Sequence, residues 1–149
     1  MINPTNTRRG FSLVELLVVL ALAGLSLSVV GPPVGRSLDA SRFKASTRSL
    51  VTTARTARSL ARREQREVTL MIDVKSRKYR LDAQPDLSIQ PKATKIEVTA
   101  AESERRSENL IGVRFFPDGS ATGAVINLSL NNQHQTIKIN WLTGFTEIQ

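Results

Sequence analysis

The feature that most constrains this chain is an apolar run of 20 residues, FSLVELLVVLALAGLSLSVV, from Phe11 to Val30. Fifteen of its residues are apolar and one, Glu15, is charged. A helix of that length covers the ~30 Å hydrocarbon core of a bilayer at about 1.5 Å per residue. Its Leu, Val and Phe residues favour insertion by about 4 to 8 kcal/mol, which exceeds the cost of one carboxylate near the helix end, below ~3 kcal/mol. We therefore predict a transmembrane helix over residues 11–30 rather than a buried core helix.

Glu15 is the unusual residue of this run, because an ionisable group in a membrane segment is costly and normally has a partner. No basic residue lies within the run. A cut between Gly10 and Phe11 would create a new α-amino group, with Glu15 about 6 Å further along the helix axis. The amine of the same chain or of a neighbouring chain would then neutralise the carboxylate.

The residues around this cut resemble the processing signature of type IV pilins and type II secretion pseudopilins, with RRG at residues 8–10 followed by FSLVELL. The resemblance implies a leader peptide of residues 1–10, which a prepilin peptidase removes by cleaving after Gly10. It also implies that the new amine of Phe11 is methylated and that Glu15 docks each subunit on its neighbour. In this family the chain crosses the inner membrane once and its carboxyl-terminal domain lies in the periplasm.

A twin-arginine export signal is the rival interpretation of the same segment. Two arginines precede the apolar run, and ALA at residues 21–23, followed by Gly24, fits an A-x-A cleavage site. The two interpretations predict different mature ends, at Phe11 or at Gly24. The charge of Glu15 and the continuation of the apolar run to Val30 favour the pilin-like signature.

Positive charge is concentrated in the segment that follows, residues 31–66. The chain has a net charge of +8, and residues 36–66 hold nine basic and two acidic side chains, or +7 of that total. Apolar and small residues recur there at steps of three and four, which predicts an amphipathic helix with a sheet packed against it. The members of this small-residue stripe are Phe43, Thr47, Leu50, Ala54, Ala57 and Ala61.

A second stripe on the same predicted helix is basic. It consists of Lys44, Arg48, Arg55, Arg62 and Arg66. One interpretation is a contact surface for acidic groups of neighbouring subunits, for anionic headgroups or for nucleic acid, and the other is a solvated face without a partner.

Between this helix and the apolar run, GPP at residues 31–33 predicts a kink or a brief break, because proline removes a backbone donor and clashes with the preceding turn. Pro32 also falls where pilins commonly have a helix-bending proline.

After Glu67 the apolar period changes from 3.6 to 2, which predicts an antiparallel β domain over residues 67–149. About six strands are expected, around residues 68–74, 79–81, 96–98, 110–116, 124–130 and 137–141. Turn sequences separate them at PDG 117–119, NN 131–132 and TG 143–144. Residues 85–91 and 102–109 are predicted to be surface loops. The fold class is therefore α+β, with a long amino-terminal helix packed on antiparallel strands, as in pilins.

The sequence FFPDGSATG at residues 115–123 resembles the GspH/FimT group, which contains H-type minor pseudopilins and related minor pilins. The resemblance implies a structural subunit near the tip of the periplasmic pseudopilus of a type II secretion system. Its implied partners are other pseudopilins, the peptidase, the inner-membrane assembly platform and membrane lipid. The first alternative is a FimT-like minor pilin that primes a type IV pilus, and another is a minor pilin that binds DNA. Residues 144–147 read GFTE where some relatives have GRxR, so we do not expect nucleic acid as a partner.

Catalytic and metal-binding arrangements are sparse in this sequence. The chain has no cysteine and one histidine, His134, which excludes thiolate chemistry and histidine clusters. Ser120 lacks a G-x-S-x-G setting, and both it and His134 are interpreted as turn residues. The glutamates of residues 102–108 alternate with arginines, which predicts a solvated loop rather than a carboxylate pair or a calcium site. We expect neither an enzyme nor a cofactor.

Overall fold

The structure, a computed structural model, describes residues 11–82, 84–89 and 91–149, with the side-chain surroundings of all of these except residues 27–36 and 88. The leader predicted over residues 1–10, including Gly10, lies outside the described residues. The chain divides into two compact units, with the boundary between Ser37 and Leu38.

One long helix, α1, runs from Leu13 to Glu64. The Ser12 hydroxyl accepts a hydrogen bond from the Val14 amide and caps its first turn. The helix ends before Gln65, whose φ of 51° is left-handed, so it stops two residues short of the predicted end and Arg66 lies outside it. Its backbone is helical across residues 31–33, so the brief break considered above is absent, and the kink stays a prediction.

Within the part of the chain whose side chains the structure describes, no helix combines the length and apolarity needed to cross a membrane. The transmembrane helix predicted over residues 11–30 includes residues 27–30, whose side-chain surroundings lie outside the described set. It stays a prediction.

Eight antiparallel strands follow the helix in the described ranges 65–82, 84–89 and 91–149. They are β1 (Val68–Asp73), β2 (Lys78–Leu81), β3 (Leu87–Ser88), β4 (Lys95–Ala100), β5 (Leu110–Phe115), β6 (Ala124–Leu130), β7 (Gln133–Ile139) and β8 (Thr146–Ile148). The first sheet has the order β3-β2-β1-β5 and the second the order β4-β6-β7-β8. The six longer strands match the predicted ones, and the two short edge strands, β3 and β8, are additional. The α+β class, with a helix and antiparallel sheets, is confirmed.

A single hydrophobic core joins the helix to both sheets. All six residues of the small-residue stripe on α1 are buried, as predicted from their spacing. The alanines of the stripe have short side chains, which allow close packing against the inward residues of the strands. Thr47 is the polar member of the stripe, and its hydroxyl donates to the carbonyl of Phe43 at 3.0 Å. The burial of a hydroxyl on this face is therefore compensated within the helix.

Two predicted surface loops carry buried residues, so those predictions are partly wrong. In residues 85–91, Leu87–Ser88 pairs with β2, and the side chain of Ile89 lies in the core. In residues 102–109, a single 3₁₀ turn at Glu102–Glu104 directs Glu104 inward, where it meets an arginine of β5. A single apolar or charged residue within a polar segment produces no periodic pattern, so neither the burial of Ile89 nor that of Glu104 could be predicted from spacing.

Two residues near the second sheet also differ from their predicted positions. His134 belongs to β7 and is exposed, rather than lying in the turn before it. Trp141 was expected to extend β7, but the strand ends at Ile139. The side-chain oxygen of Asn140 accepts hydrogen bonds from the two amides at residues 142 and 143, which closes a turn in place of further pairing.

Candidate functional site

The amino-terminal site residues lie at the start of α1. Phe11 is exposed and Glu15 stands in the first helical turn, where a carboxylate interacts favourably with the helix dipole. Among the described residues, the Glu15 side chain makes no hydrogen bond or ion pair. Gly10, the third residue of the predicted processing site, lies outside the described residues. The structure therefore leaves the Glu15 carboxylate available to a group outside this part of the chain.

The basic stripe separates into bound and free side chains. Arg55 donates to the carbonyl of Thr146 in β8 at 3.0 Å. Arg66 donates to Glu64 and to Asp82, each at 2.8 Å, and the hydrogen bond with Asp82 is the main reason why the pKa of Arg66 lies above its usual value. The side chains of the remaining three members make no hydrogen bond or ion pair with described residues. They are Lys44, Arg48 and Arg62.

Arg58 lies outside the predicted basic stripe but makes the most extensive contacts of the α1 arginines with the β domain. Its Nε donates to the carbonyl of Thr143 at 2.8 Å and to that of Gly119 at 3.1 Å. Its guanidinium carbon lies 4.5 Å from the centre of the Phe145 ring, which is cation–π distance. One side chain of α1 therefore holds two turns of the β domain. The only signal for it in the sequence is its position directly after Ala57 of the buried stripe.

The two turns held by Arg58 approach each other closely. Gly144 has a φ of 61°, and a Cβ at that position would collide with the carbonyl oxygen of Gly119. Gly119 itself has a φ of 90° and belongs to the PDG turn predicted from the sequence. Glycine is needed at residue 144 both for its backbone conformation and for this contact.

An open cleft of about 530 Å³ lies beside this junction. Three arginines and one aspartate line it, for a net charge of +2: Arg58, Arg62, Arg63 and Asp118. The Ser120 hydroxyl donates to Asp118 Oδ1 at 2.6 Å and holds the pKa of that carboxyl below its usual value, so the carboxylate is ionised at neutral pH. We call this feature the basic cleft. Its charge suits an anionic partner group.

The turn between β7 and β8 exposes three large apolar side chains. Trp141 is 65% exposed, Leu142 63% and Phe145 59%. Trp141 is the single tryptophan of the chain. We call these three residues the apolar turn. Adjacent exposed side chains of this size are a feature of interaction surfaces.

The backbone of the apolar turn is extensively hydrogen-bonded. Besides the two amides bonded to its side chain, Asn140 accepts from Gly144 N at 2.8 Å and donates to the carbonyl of Phe145 at 2.9 Å. The carbonyl of Trp141 accepts from Ala121 N at 2.8 Å. The exposed side chains are therefore presented by a turn that is fixed at both ends.

An ion pair with a buried carboxylate joins the 3₁₀ turn to the first sheet. Glu104 is 1% exposed, and Arg114 of β5 donates to it three times, with the shortest distance, 2.6 Å, from Nη2 to Oε1. Arg114 also lies 3.6 Å from a carboxylate oxygen of Glu67. The hydrogen bonds with Glu104 are the main reason why the pKa of Arg114 lies above its usual value. The pair fixes the 3₁₀ turn against β5 and is structural.

Comparison with known families gives two matches. Residues 46–144 match the family described as type II transport protein GspH, and residues 5–31 match the prokaryotic N-terminal methylation motif. A curated relative is the type II secretion system protein H of Xanthomonas campestris pv. campestris. It is 24% identical over 136 residues, which cover 91% of this chain and 80% of the relative.

Two solved structures share the fold. The minor pseudopilin EpsH from the type 2 secretion system of Vibrio cholerae has a TM-score of 0.58 at 9% identity and covers 72% of this chain and 96% of its own. The type IV minor pilin FimU of Pseudomonas aeruginosa has a TM-score of 0.56 at 12% identity, with 72% and 87% coverage. At these identities the similarity establishes the pilin-like fold of the chain.

Proposed function

The chain belongs to the GspH family of type II transport proteins, and on that premise we propose that it is a minor pseudopilin, a structural subunit built in near the tip of a periplasmic pseudopilus. The observation that carries the proposal is the combination of the family match over residues 46–144 with the methylation motif at residues 5–31. The partners of such a subunit are other pseudopilins, and its role is assembly rather than catalysis.

The amino-terminal segment supplies the anchor in this proposal. The apolar residues 11–30 insert into the inner membrane once, and the β domain lies in the periplasm. A prepilin peptidase cleaves after Gly10 and methylates the amine of Phe11. The Glu15 carboxylate, which is unpaired within the described residues, then meets that amine in a neighbouring subunit. The inner-membrane assembly platform and membrane lipid complete the set of proposed partners.

The experiment that tests the proposal is mass spectrometry of the amino-terminal peptide from protein extracted from membranes. We expect a mature chain that starts at Phe11 with a methylated amine. Loss of residues 1–10 removes two arginines and no acidic residue, so the net charge falls from +8 to +6. As a control, Gly10→Val should leave residues 1–10 attached. A mature end at Gly24 would instead support twin-arginine export and contradict the proposal.

The free members of the basic stripe are the proposed electrostatic contact of α1 with acidic groups of adjacent subunits. Replacing Lys44 and Arg48 with glutamate should weaken co-purification with other pseudopilins by several-fold. Each attraction between a basic side chain of α1 and an acidic group of the adjacent subunit becomes a repulsion between two acidic groups. Circular dichroism should show an unchanged fold, since neither side chain bonds to the rest of the described chain. Arg55 is unsuitable for this experiment because its hydrogen bond holds β8. Undiminished recovery of partners would identify the stripe as a solvated face.

A type IV minor pilin that binds DNA is the second candidate, favoured by the structural similarity to FimU and by the basic helix. Each phosphate contact adds about 0.9 to the slope of log affinity against log salt, so binding by this surface predicts a slope of several units. We expect only weak binding, because Arg55 and Arg66 are engaged within the chain and GFTE at residues 144–147 has no arginine. Salt-titrated fluorescence anisotropy with a DNA duplex, run on the same variant, separates the two candidates.

A further inference from the structure

The apolar turn and the basic cleft adjoin at Arg58, which lines the cleft and contacts Phe145 of the turn. Arg58 lines the cleft, its guanidinium carbon lies over the ring of Phe145, and its Nε donates to the carbonyls of the two turns. Hydrogen bonds to neutral carbonyls orient a guanidinium without cancelling its charge. The surface therefore places exposed tryptophan, leucine and phenylalanine side chains beside the basic cleft, whose lining residues carry a net charge of +2. One of these, Arg63, also lies 3.4 Å from the carboxylate of Glu64, whereas Arg58 and Arg62 have no acidic partner among the described residues.

We infer that this surface is a docking site for another pilin-like subunit, through a segment of it that carries an apolar side chain flanked by carboxylates. The inference rests on the proposed function, since it names the partner chemistry of one face of the same subunit. The apolar side chain would cover Leu142 and Trp141, and the carboxylates would enter the cleft beside Arg62 and Arg63. Charge complementarity selects the acidic character of the occupant.

The composition of the surface favours a protein over a nucleic acid. The Asp118 carboxylate lines the cleft and is ionised, so it repels a phosphate backbone that follows the arginines. Glu147, the second residue of β8, is exposed just beyond the apolar turn, and its carboxylate also repels phosphate groups. A folded partner can place single carboxylates beside arginines and avoid these two acidic groups.

The fixed backbone of the apolar turn makes it suitable for tight docking. Its amides and carbonyls are bonded to Asn140 and Ala121, and Arg58 holds the carbonyl of Thr143. A surface that is ordered before binding loses little conformational entropy on association. Tryptophan and arginine are also the residue types that dominate binding energy in protein interfaces. Truncation of one apolar side chain here is therefore expected to have a large effect.

Leu142→Ala is the test variant, and Leu87→Ala is its matched control. Leu87 is an exposed leucine, 45% accessible, at the edge of the other sheet, so both variants delete the same atoms from a solvent-facing side chain. The full chain, in detergent, is titrated with each of the other major and minor pseudopilins of the same secretion system. We expect Leu142→Ala to weaken one of these complexes about tenfold, because the apolar area that the partner buries on this side chain is lost, and Leu87→Ala to leave every complex unchanged.

The charge of the cleft is tested by Arg62→Glu, with Arg80→Glu of β2 as the control. Neither arginine side chain makes a hydrogen bond or ion pair within the described residues, so both reversals should preserve the fold. Arg62→Glu should weaken the same complex at low salt, and the difference from the wild type should shrink as salt screens the interaction. An equal effect of both reversals would show a general response to net charge and overturn the placement of carboxylates in the cleft.

The single tryptophan provides a direct readout of where the partner binds. The full chain labelled with 5-fluorotryptophan gives one ¹⁹F resonance, from residue 141. We expect this resonance to shift when the unlabelled partner is added, and to keep its free position in the Leu142→Ala variant at the same concentrations. It also reports whether that variant retains the native turn in the absence of partner.

Two results would overturn the inference while the proposed function stands. The first is binding of partner pseudopilins with normal affinity by both Leu142→Ala and Arg62→Glu. The second is tight, salt-dependent binding of a DNA duplex that Arg62→Glu abolishes while partner recovery stays normal. Complete failure of the wild-type chain to bind any pseudopilin would overturn both the inference and the proposed function.

Discussion

Glu15→Ala should abolish incorporation of the subunit into a pseudopilus while its membrane insertion stays intact or improves. The carboxylate is costly in a membrane segment, so its removal favours insertion. Docking should nevertheless fail, because the methylated amine of the neighbouring subunit loses the group that neutralises it. Co-purification with other pseudopilins from detergent extracts measures assembly, and carbonate extraction of membranes measures insertion.

Two further variants separate the charge of Glu15 from its shape. Glu15→Gln keeps the size of the side chain and removes the charge, so it should fail in the same way as the alanine variant. Glu97→Ala removes an exposed glutamate from β4 and controls for the loss of one negative charge from the protein. Normal assembly of Glu15→Ala would show that this carboxylate has no docking role in this subunit.

Periodic features of the fold were predictable from the sequence. The spacing of Phe43, Leu50 and Ala57 identifies the buried face of α1, because helical geometry brings residues at steps of three and four onto one side. The alternation in β1 and β6 identifies the longer strands for the equivalent reason. These signals depend on regular repetition over several residues. Two- and three-residue strands such as β3 and β8 are too short to show it.

Most of the candidate contact surface could not be predicted, because it depends on single long-range contacts. Arg58 lies 61 residues from Gly119 in sequence and 85 from Thr143, and it meets both through backbone carbonyls that any residue provides. The position of Trp141 depends on the Asn140 side chain, which ends a strand that the apolar pattern would have continued. Glu104 resembles the other charged residues of its segment until Arg114 is seen beside it.

The same physical limit explains why the basic stripe is not one surface. Helical spacing places its five members along one side of the predicted helix, but it does not identify which of them have partners in the β domain. Arg55 is directed to β8, whereas Arg66 lies beyond the helix end and pairs with Asp82. The side chains of Lys44, Arg48 and Arg62 have no partner among the described residues and are therefore available to other molecules. Three-dimensional contacts therefore reduce a sequence pattern of five residues to three candidates for partner binding.

Arg114→Met should be the most destabilising single change outside the hydrophobic core. All three hydrogen bonds to the buried Glu104 carboxylate that the structure shows come from Arg114. Breaking a buried pair by removing one partner costs about 3 kcal/mol or more, since the other charge stays buried without compensation. For a unit of this size that cost lowers Tm by roughly 10 to 20 °C. Thermal unfolding of a fragment starting at Leu38, followed by circular dichroism, measures it.

The comparison with three other variants assigns this loss to the ion pair. Arg80→Met makes the same change at an exposed arginine of β2 and should lower Tm by little. Glu104→Gln should cost less than Arg114→Met, because the amide carries no charge and the arginine left behind is partly exposed and still lies near Glu67. The double variant Glu104→Leu with Arg114→Met removes both charges and should recover much of the loss. If the double variant is instead no more stable than Arg114→Met alone, then the packing of the arginine stem, rather than the buried carboxylate, determines the stability of this turn.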